Sequence, residues 1–180
     1  MEINIDFVVL WLDSNDPKWQ KDYATYSPHS KFGKGMVRFR DHETFRYWFR
    51  AVEAYAPWVH KVFLVTNGKF PDWINKECSK LVLVEHADYI PQEMLPTFNS
   101  GVIELFVNRI KGLSEHFVFF NDDFIPSKHF KVTPPSVSAH DRGTTSYGKE
   151  GYEWTNKWIT LSELRRTQKG RTYSESIFVS

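Results

Sequence analysis

Phe117-Val118-Phe119-Phe120 is an unbroken apolar run that passes directly into Asn121-Asp122-Asp123. A run this short and this apolar reads as a strand buried on both faces, as in a parallel sheet covered by helices on either side. The pattern recurs along the chain. A strand expected over Ile5–Trp11 ends in Leu12-Asp13-Ser14-Asn15-Asp16-Pro17, and one over 61–66 ends in Thr66-Asn67-Gly68. A further strand, Leu81–Val84, is followed by Glu85-His86-Ala87-Asp88. Helical spacing lies between these runs. Phe45, Trp48, Phe49, Val52, Tyr55 and Ala56 keep the i, i+3, i+4, i+7 pattern, which predicts a helix over Asp41–Tyr55 with Asp41 as its N-cap and Pro57 as its stop. Ile103, Phe106, Val107 and Ile110 stripe a second helix that Asn99 or Ser100 caps, that runs to about Lys111, and that Gly112 ends. Alternating strands and helices predict an α/β domain with a mostly parallel sheet.

The length of 180 residues fits one domain with a substantial core. That core is expected over residues 1–125, with 126–180 as an irregular C-terminal extension of the same domain. Beyond Pro126 the periodicity fades, Pro134-Pro135, Gly143, Gly148 and Gly151 punctuate a polar stretch, and one short helix is expected over Thr160–Arg166. Ile177-Phe178-Val179-Ser180 reads as a strand cut short, so the chain is expected to be a fragment or a shortened form. Lys plus Arg number 23 and Asp plus Glu 22, a formal charge of +1 that gives no broad nucleic-acid-binding face. The single cysteine, Cys78, excludes an intrachain disulfide and suits a reducing compartment. No apolar run is long enough to span a membrane, and the N-terminus lacks the regions of a signal peptide. A cytoplasmic protein is expected, with peripheral attachment to the inner membrane face through partners as the alternative.

The strand ends carry the chemistry. Adjacent Asp122 and Asp123 repel one another, and a divalent cation relieves that repulsion because hard cations prefer oxygen ligands. Successive strand residues point to opposite sides, so one carboxylate would reach the metal directly. Taken alone, Asn121-Asp122-Asp123 reads equally as a turn. Asp13 follows the first strand immediately, whereas Asp16 reads either as a site residue or as the cap of a helix starting at Pro17. Arg46 and Arg50 lie four apart on one helix face, either as surface charges or as a fork for an anion such as phosphate. Asn99 and Ser100 cap a helix N-terminus, which also suits a phosphate. Gly68 supplies a tight turn at positive φ. Lys31, Lys34, Arg38 and Arg40 lie in a basic loop, and His86 reads as structural. In a parallel sheet these strand ends share one edge, where a metal and arginines form equipment for handling a diphosphate.

Ile5 to Trp19 resembles the first conserved region of the Stealth proteins. Phe45-Arg46-Tyr47-Trp48-Phe49-Arg50, Tyr55-Ala56-Pro57-Trp58-Val59, Val65-Thr66-Asn67-Gly68, Leu95-Pro96-Thr97-Phe98-Asn99-Ser100, Ile103-Glu104, Arg109-Ile110, Gly112-Leu113-Ser114-Glu115 and Phe120-Asn121-Asp122-Asp123 resemble the second. The resemblance covers roughly residues 3–125 and implies a Rossmann-like (GT-A-like) nucleotide-sugar-binding core. It further implies transfer of a sugar 1-phosphate from a nucleotide-diphosphate sugar to a sugar hydroxyl of a glycan acceptor, with a nucleoside monophosphate leaving. An ordinary metal-dependent glycosyltransferase and a non-catalytic nucleotide-sugar-binding domain are the competing readings. By resemblance, Asp122 and Asp123 hold Mg²⁺ or Mn²⁺, and Asp13, Arg46, Arg50 and Asp122 form the catalytic group. Asp16, Asn67, Gly68, Asn99, Ser100 and Arg109 form the substrate-binding group. Ser14 departs from the Gly of many members, and His42 stands near a segment that is acidic or Asn-rich in the family. The family's third and fourth regions have no match after Pro126; His140-Asp141-Arg142 comes early for a stand-in. A chain without them is expected to bind a donor and not to turn it over.

Overall fold

The computed structural model describes residues 4–26 and 44–126, together with the backbone of two short strands, Ser146–Tyr147 and Glu153–Trp154. The elements in chain order are β1 (Ile5–Leu10), α1 (Pro17–Tyr26), α2 (Phe45–Tyr55), β2 (Val62–Thr66), β3 (Leu81–Glu85), α3 (Ser100–Leu105), β4 (His116–Phe120), β5 (Ser146–Tyr147) and β6 (Glu153–Trp154). The first four strands form one sheet in the order β3-β2-β1-β4, and every neighbouring pair is parallel. The short pair β5 and β6 is antiparallel. The fold is thus the expected Rossmann-like α/β arrangement.

The apolar runs form strands because both sides of the sheet are covered. Phe7 and Val9 of β1 face one side with Val62, Leu64, Val118 and Phe120, where Phe45, Trp48, Phe49 and Val52 of α2 close the layer. Val8, Phe63, Val65, Phe117 and Phe119 face the other side, covered by Tyr89, Ile90, Val107, Ile110 and Leu113. This is the two-residue alternation of a pleated strand with no polar face to spare. Phe7, Trp48 and Phe120 are essentially inaccessible, with Phe7 and Phe120 ring centroids 4.8 Å apart and Trp48 edge-on to Phe120 at 5.2 Å. Burial of each such ring contributes roughly 1.5–3 kcal/mol.

Two helix boundaries differ from expectation. α2 begins at Phe45, where the ring stacks on Trp11 at 6.2 Å and first meets the sheet; its cap residue is Thr44, whose side chain makes no capping bond. Asp41 lies outside the described residues, as do the basic 31–40 loop, Thr160–Arg166 and Ile177–Ser180. α3 ends at Leu105 rather than near Lys111. Phe106 leaves the α region at φ −100, ψ 1, and a 3₁₀ turn follows over Val107–Arg109. Val107 and Ile110 are both buried in the core layer on the Val8 side of the sheet. Gly112 closes the segment at φ +83, as its stop role requires.

Candidate active site

β1 pairs with β2 on one side and β4 on the other, so the chain builds outward through β3 and then returns across β1. In open α/β sheets the crevice at such a reversal, outside the carboxyl ends of the strands, is where ligands bind. Val9 of β1 is in register with Phe120 of β4. Asp13 and Asn121-Asp122-Asp123 therefore emerge at the same edge from adjacent strands.

Each carboxylate has a local reason for its position. Phe124 donates its backbone N–H to the Asn121 carbonyl at 3.1 Å, so the triplet forms a turn, anchored by buried Ile125 and Pro126. The turn holds Asn121, Asp122 and Asp123 at the surface. The turn reading and the site reading are thus compatible. Asp13 accepts the Asn15 N–H at 2.9 Å through Oδ1, and its Oδ2 forms an ion pair with Lys69, which follows Gly68 at the end of β2. The hydrogen bond to Asp13, reinforced by the charges of Asp13, Asp16 and Asp72, raises the Lys69 ammonium above its ordinary value. Asp16 takes the capping alternative: its two oxygens accept the N–H groups of Lys18 at 3.2 Å and Trp19 at 3.4 Å, at the start of α1.

The remaining expected site residues divide by position. Thr66 ends β2 fully buried, and its hydroxyl accepts the Gly68 N–H at 3.1 Å; Gly68 adopts φ +109, the positive value expected of it. Arg46 lies in the first turn of α2, next to the Phe45 that stacks on Trp11, with its guanidinium 5.3 Å from the Trp73 ring centroid. Arg50 lies one turn further along α2, 5.7 Å from the Tyr47 ring. Asn99 caps α3, accepting the Gly101 N–H at 2.9 Å, and Ser100 is the first residue of that helix. Arg109 stands over the Phe106 ring at 5.6 Å, on the segment leading back to the start of β4. The described contacts do not join Arg109 to the others.

Beside this edge, at the ends of β2 and β3, lies a cavity of about 250 Å³. Lys18, Trp19 and Asp22 of α1 form one wall, Asn67 and Glu85-His86-Ala87 the floor, and Gln92 with Leu95-Pro96-Thr97-Phe98 the far side. Phe98 packs edge-on against Trp19 at 6.0 Å and Tyr23 at 5.2 Å. Burial depresses His86 to about 4, so its imidazole is neutral at pH 7. The Oδ1 of Asn67 is buried without a hydrogen-bond partner among the described residues. A buried amide oxygen left unpaired costs about 1–3 kcal/mol. Lys69 and this cavity were not legible as site features. The only sequence signal for Lys69 is its position directly after the strand-end glycine, and His86 reads as structural until its place in the cavity wall is seen.

Mg²⁺ is held through one or two carboxylates plus substrate phosphates and waters, not by an all-protein cage. Asp122 and Asp123 at the surface of the strand edge fit that mode. A closed cage is a different case: among the described residues no three His, Cys, Asp or Glu side chains gather to hold an ion. Nor is any helix among them long and apolar enough to cross a membrane.

An open parallel α/β domain with carboxylates at its topological reversal is a ligand-binding class of fold. Residues 38–141 match the sequence model of Stealth protein CR2, conserved region 2, and the chain belongs to the Stealth family. That match leaves the first-region motif at Ile5–Trp19 outside its bounds. The chain is 49% identical over 138 residues to the exopolysaccharide phosphotransferase cps2G of Lactiplantibacillus plantarum, covering 77% of this chain and 40% of that protein. It is 49% identical over 123 residues to the capsular polysaccharide phosphotransferase eps5J of Streptococcus thermophilus, 66% of this chain and 52% of the relative. It is 52% identical over 123 residues to the receptor polysaccharide phosphotransferase WefC of Streptococcus oralis, 66% of this chain and 37% of the relative. The chain thus spans about half, or less, of the length of these relatives.

Proposed function

We propose that this chain carries the donor-binding core of a phosphotransferase of surface-polysaccharide synthesis. The reaction transfers a sugar 1-phosphate from a nucleotide-diphosphate sugar to a sugar hydroxyl. One observation carries the reading: Asp13 and the Asp122/Asp123 pair emerge from adjacent parallel strands at the point where strand order reverses. The names of the relatives, all phosphotransferases of extracellular glycans, support the reaction class.

In this reading the acceptor oxygen attacks the sugar-bearing phosphorus, the phosphoanhydride bond breaks, and a nucleoside monophosphate leaves. Asp122 and Asp123 would hold Mg²⁺ or Mn²⁺, which supplies positive charge to the diphosphate oxygens. Lys69 is fixed by Asp13 and offers a second positive charge at the same edge. Arg46 lies in the first turn of α2, and its planar fork suits phosphate. Gly68 lets the chain turn close beneath the ligand, and the protein works at the cytoplasmic face with a glycan acceptor.

Calorimetric titration with UDP-N-acetylglucosamine and other nucleotide sugars, in Mg²⁺, in Mn²⁺ and in EDTA, tests the donor site. Metal-dependent binding that disappears in Asp122→Asn and Asp123→Asn is the expected result. Binding that is indifferent to metal and to both substitutions would sink the reading. Release of nucleoside monophosphate rather than diphosphate separates phosphotransfer from glycosyl transfer.

A further inference from the structure

We propose that the cavity between α1 and the ends of β2 and β3 is the nucleobase subsite of the donor, an inference that rests on the donor reading above. Its chemistry selects an uncharged flat group. Asp22, Glu85 and Lys18 line it, so carboxylates outnumber the single ammonium and a phosphate is repelled. Its remaining polar walls, Asn67, Gln92, Thr97 and a neutral His86, are hydrogen-bonding groups without charge. Half-buried Phe98 supplies the aromatic surface on which a base stacks, backed by Trp19, which is 5% exposed and itself stacked on Tyr23 at 5.0 Å. Few convergent polar groups among apolar walls is the composition of a small-molecule site.

Asn67 gives the cavity its specificity. Its Oδ1 is buried and has no hydrogen-bond partner among the described residues. The terminal torsion of an asparagine side chain is soft, so a modest rotation turns that oxygen toward a ring N–H of the ligand. Position agrees with chemistry. β3 lies two strands from β1, roughly 10 Å at the usual strand spacing. A nucleotide whose diphosphate lies at the β1 and β4 ends would therefore point its base toward this cavity. The other ring-shaped candidate is a sugar of the acceptor. A polysaccharide chain needs an open-ended groove, whereas this cavity is walled on its far side by the 92–98 segment.

The test uses the 180-residue chain in EDTA, titrated calorimetrically with UMP, CMP, AMP and GMP, and with methyl glycosides of glucose and N-acetylglucosamine. Asn67→Ala removes the amide, and Ala87→Phe fills the cavity from an exposed position on the 3₁₀ turn His86–Asp88, so folding is preserved and is checked by circular dichroism. At least one nucleotide is expected to bind without metal, and each substitution to weaken it by about tenfold or more, the scale of one lost hydrogen bond or a blocked ring. Nucleotide binding that ignores both cavity substitutions overturns the proposal. So does a folded chain that binds no nucleotide, or one in which only a methyl glycoside responds to Ala87→Phe. Cavity-dependent nucleotide binding together with metal-indifferent binding of the intact donor would instead sustain this inference and sink the metal-dependent reaction.

Discussion

Lys69 Nζ and Asp13 Oδ2 form an ion pair that bridges the ends of β2 and β1. The lysine comes from the residue after Gly68, and the carboxylate from the third residue after β1. One charge of the strand edge is therefore already matched within the protein.

We expect Lys69→Gln to weaken nucleotide-sugar binding by about tenfold, the scale of a charge-assisted hydrogen bond, and Lys69→Arg to retain most of it. Calorimetry of both variants in Mg²⁺ reads this directly. Unchanged affinity in Lys69→Gln would mean that the lysine serves only to neutralise Asp13.

Asp6 should be the most sensitive polar residue of the core. It is fully buried in β1; its Oδ1 lies 2.8 Å from His60 Nδ1, and its Oδ2 accepts the Ser114 N–H at 2.7 Å. Loss of the carboxylate leaves the Ser114 N–H and the His60 ring nitrogen without their partner, at roughly 1–3 kcal/mol. Asp6→Ala should lower the unfolding free energy obtained from urea titration by that much. His60→Ala should shift it less, since that imidazole is 38% exposed. Equal or negligible shifts would show that the contacts do not anchor the strand.

His86 sets an acid limit on stability. Burial lowers it from 6.5 to about 4, so between those values the unfolded chain binds the proton and the folded chain does not. Unfolding free energy should therefore be insensitive to this group above about pH 6.5 and should fall as pH drops toward 4, by up to ~3 kcal/mol at 1.36 kcal/mol per pH unit. His86→Gln should remove that part of the slope. Parallel urea titrations of the two proteins from about pH 7 to about pH 4.5 check it; identical slopes would contradict it.

Gly68→Ala should destabilise the strand edge by about 1 kcal/mol or more, because a β-carbon is strained at positive φ. The added carbon would also meet Glu85 Oε2 at 3.4 Å. Gly112→Ala, at φ +83 but with no neighbour within 4 Å, isolates the backbone contribution. Thermal melts of the pair should place Gly68→Ala at or below Gly112→Ala.

The strands, the Asn99 cap, the stop at Gly112 and the turn at Gly68 were legible in the amino-acid sequence, because each follows from a local rule. An apolar run needs burial on both faces, a helix start needs an acceptor, and a positive φ needs a missing β-carbon. The position of Asp13 and Asp122/Asp123 at the ends of neighbouring parallel strands followed from one further step, the shared edge of a parallel sheet. Other features depended on which strands became neighbours. Asp6 finds His60 54 residues away and Ser114 108 residues away, and nothing local announces either partner. Lys69 meets Asp13 only because β2 lies beside β1. The cavity gathers α1, two strand ends and the 92–98 segment, none of which carries a binding pattern alone. α3 stopped at Leu105, and a 3₁₀ turn took over where the apolar spacing alone allowed an α-helix to continue. Local sequence determined the elements and the chemistry at their ends; only packing decided which of those ends meet, because pairing energies depend on neighbours that the chain brings from far apart.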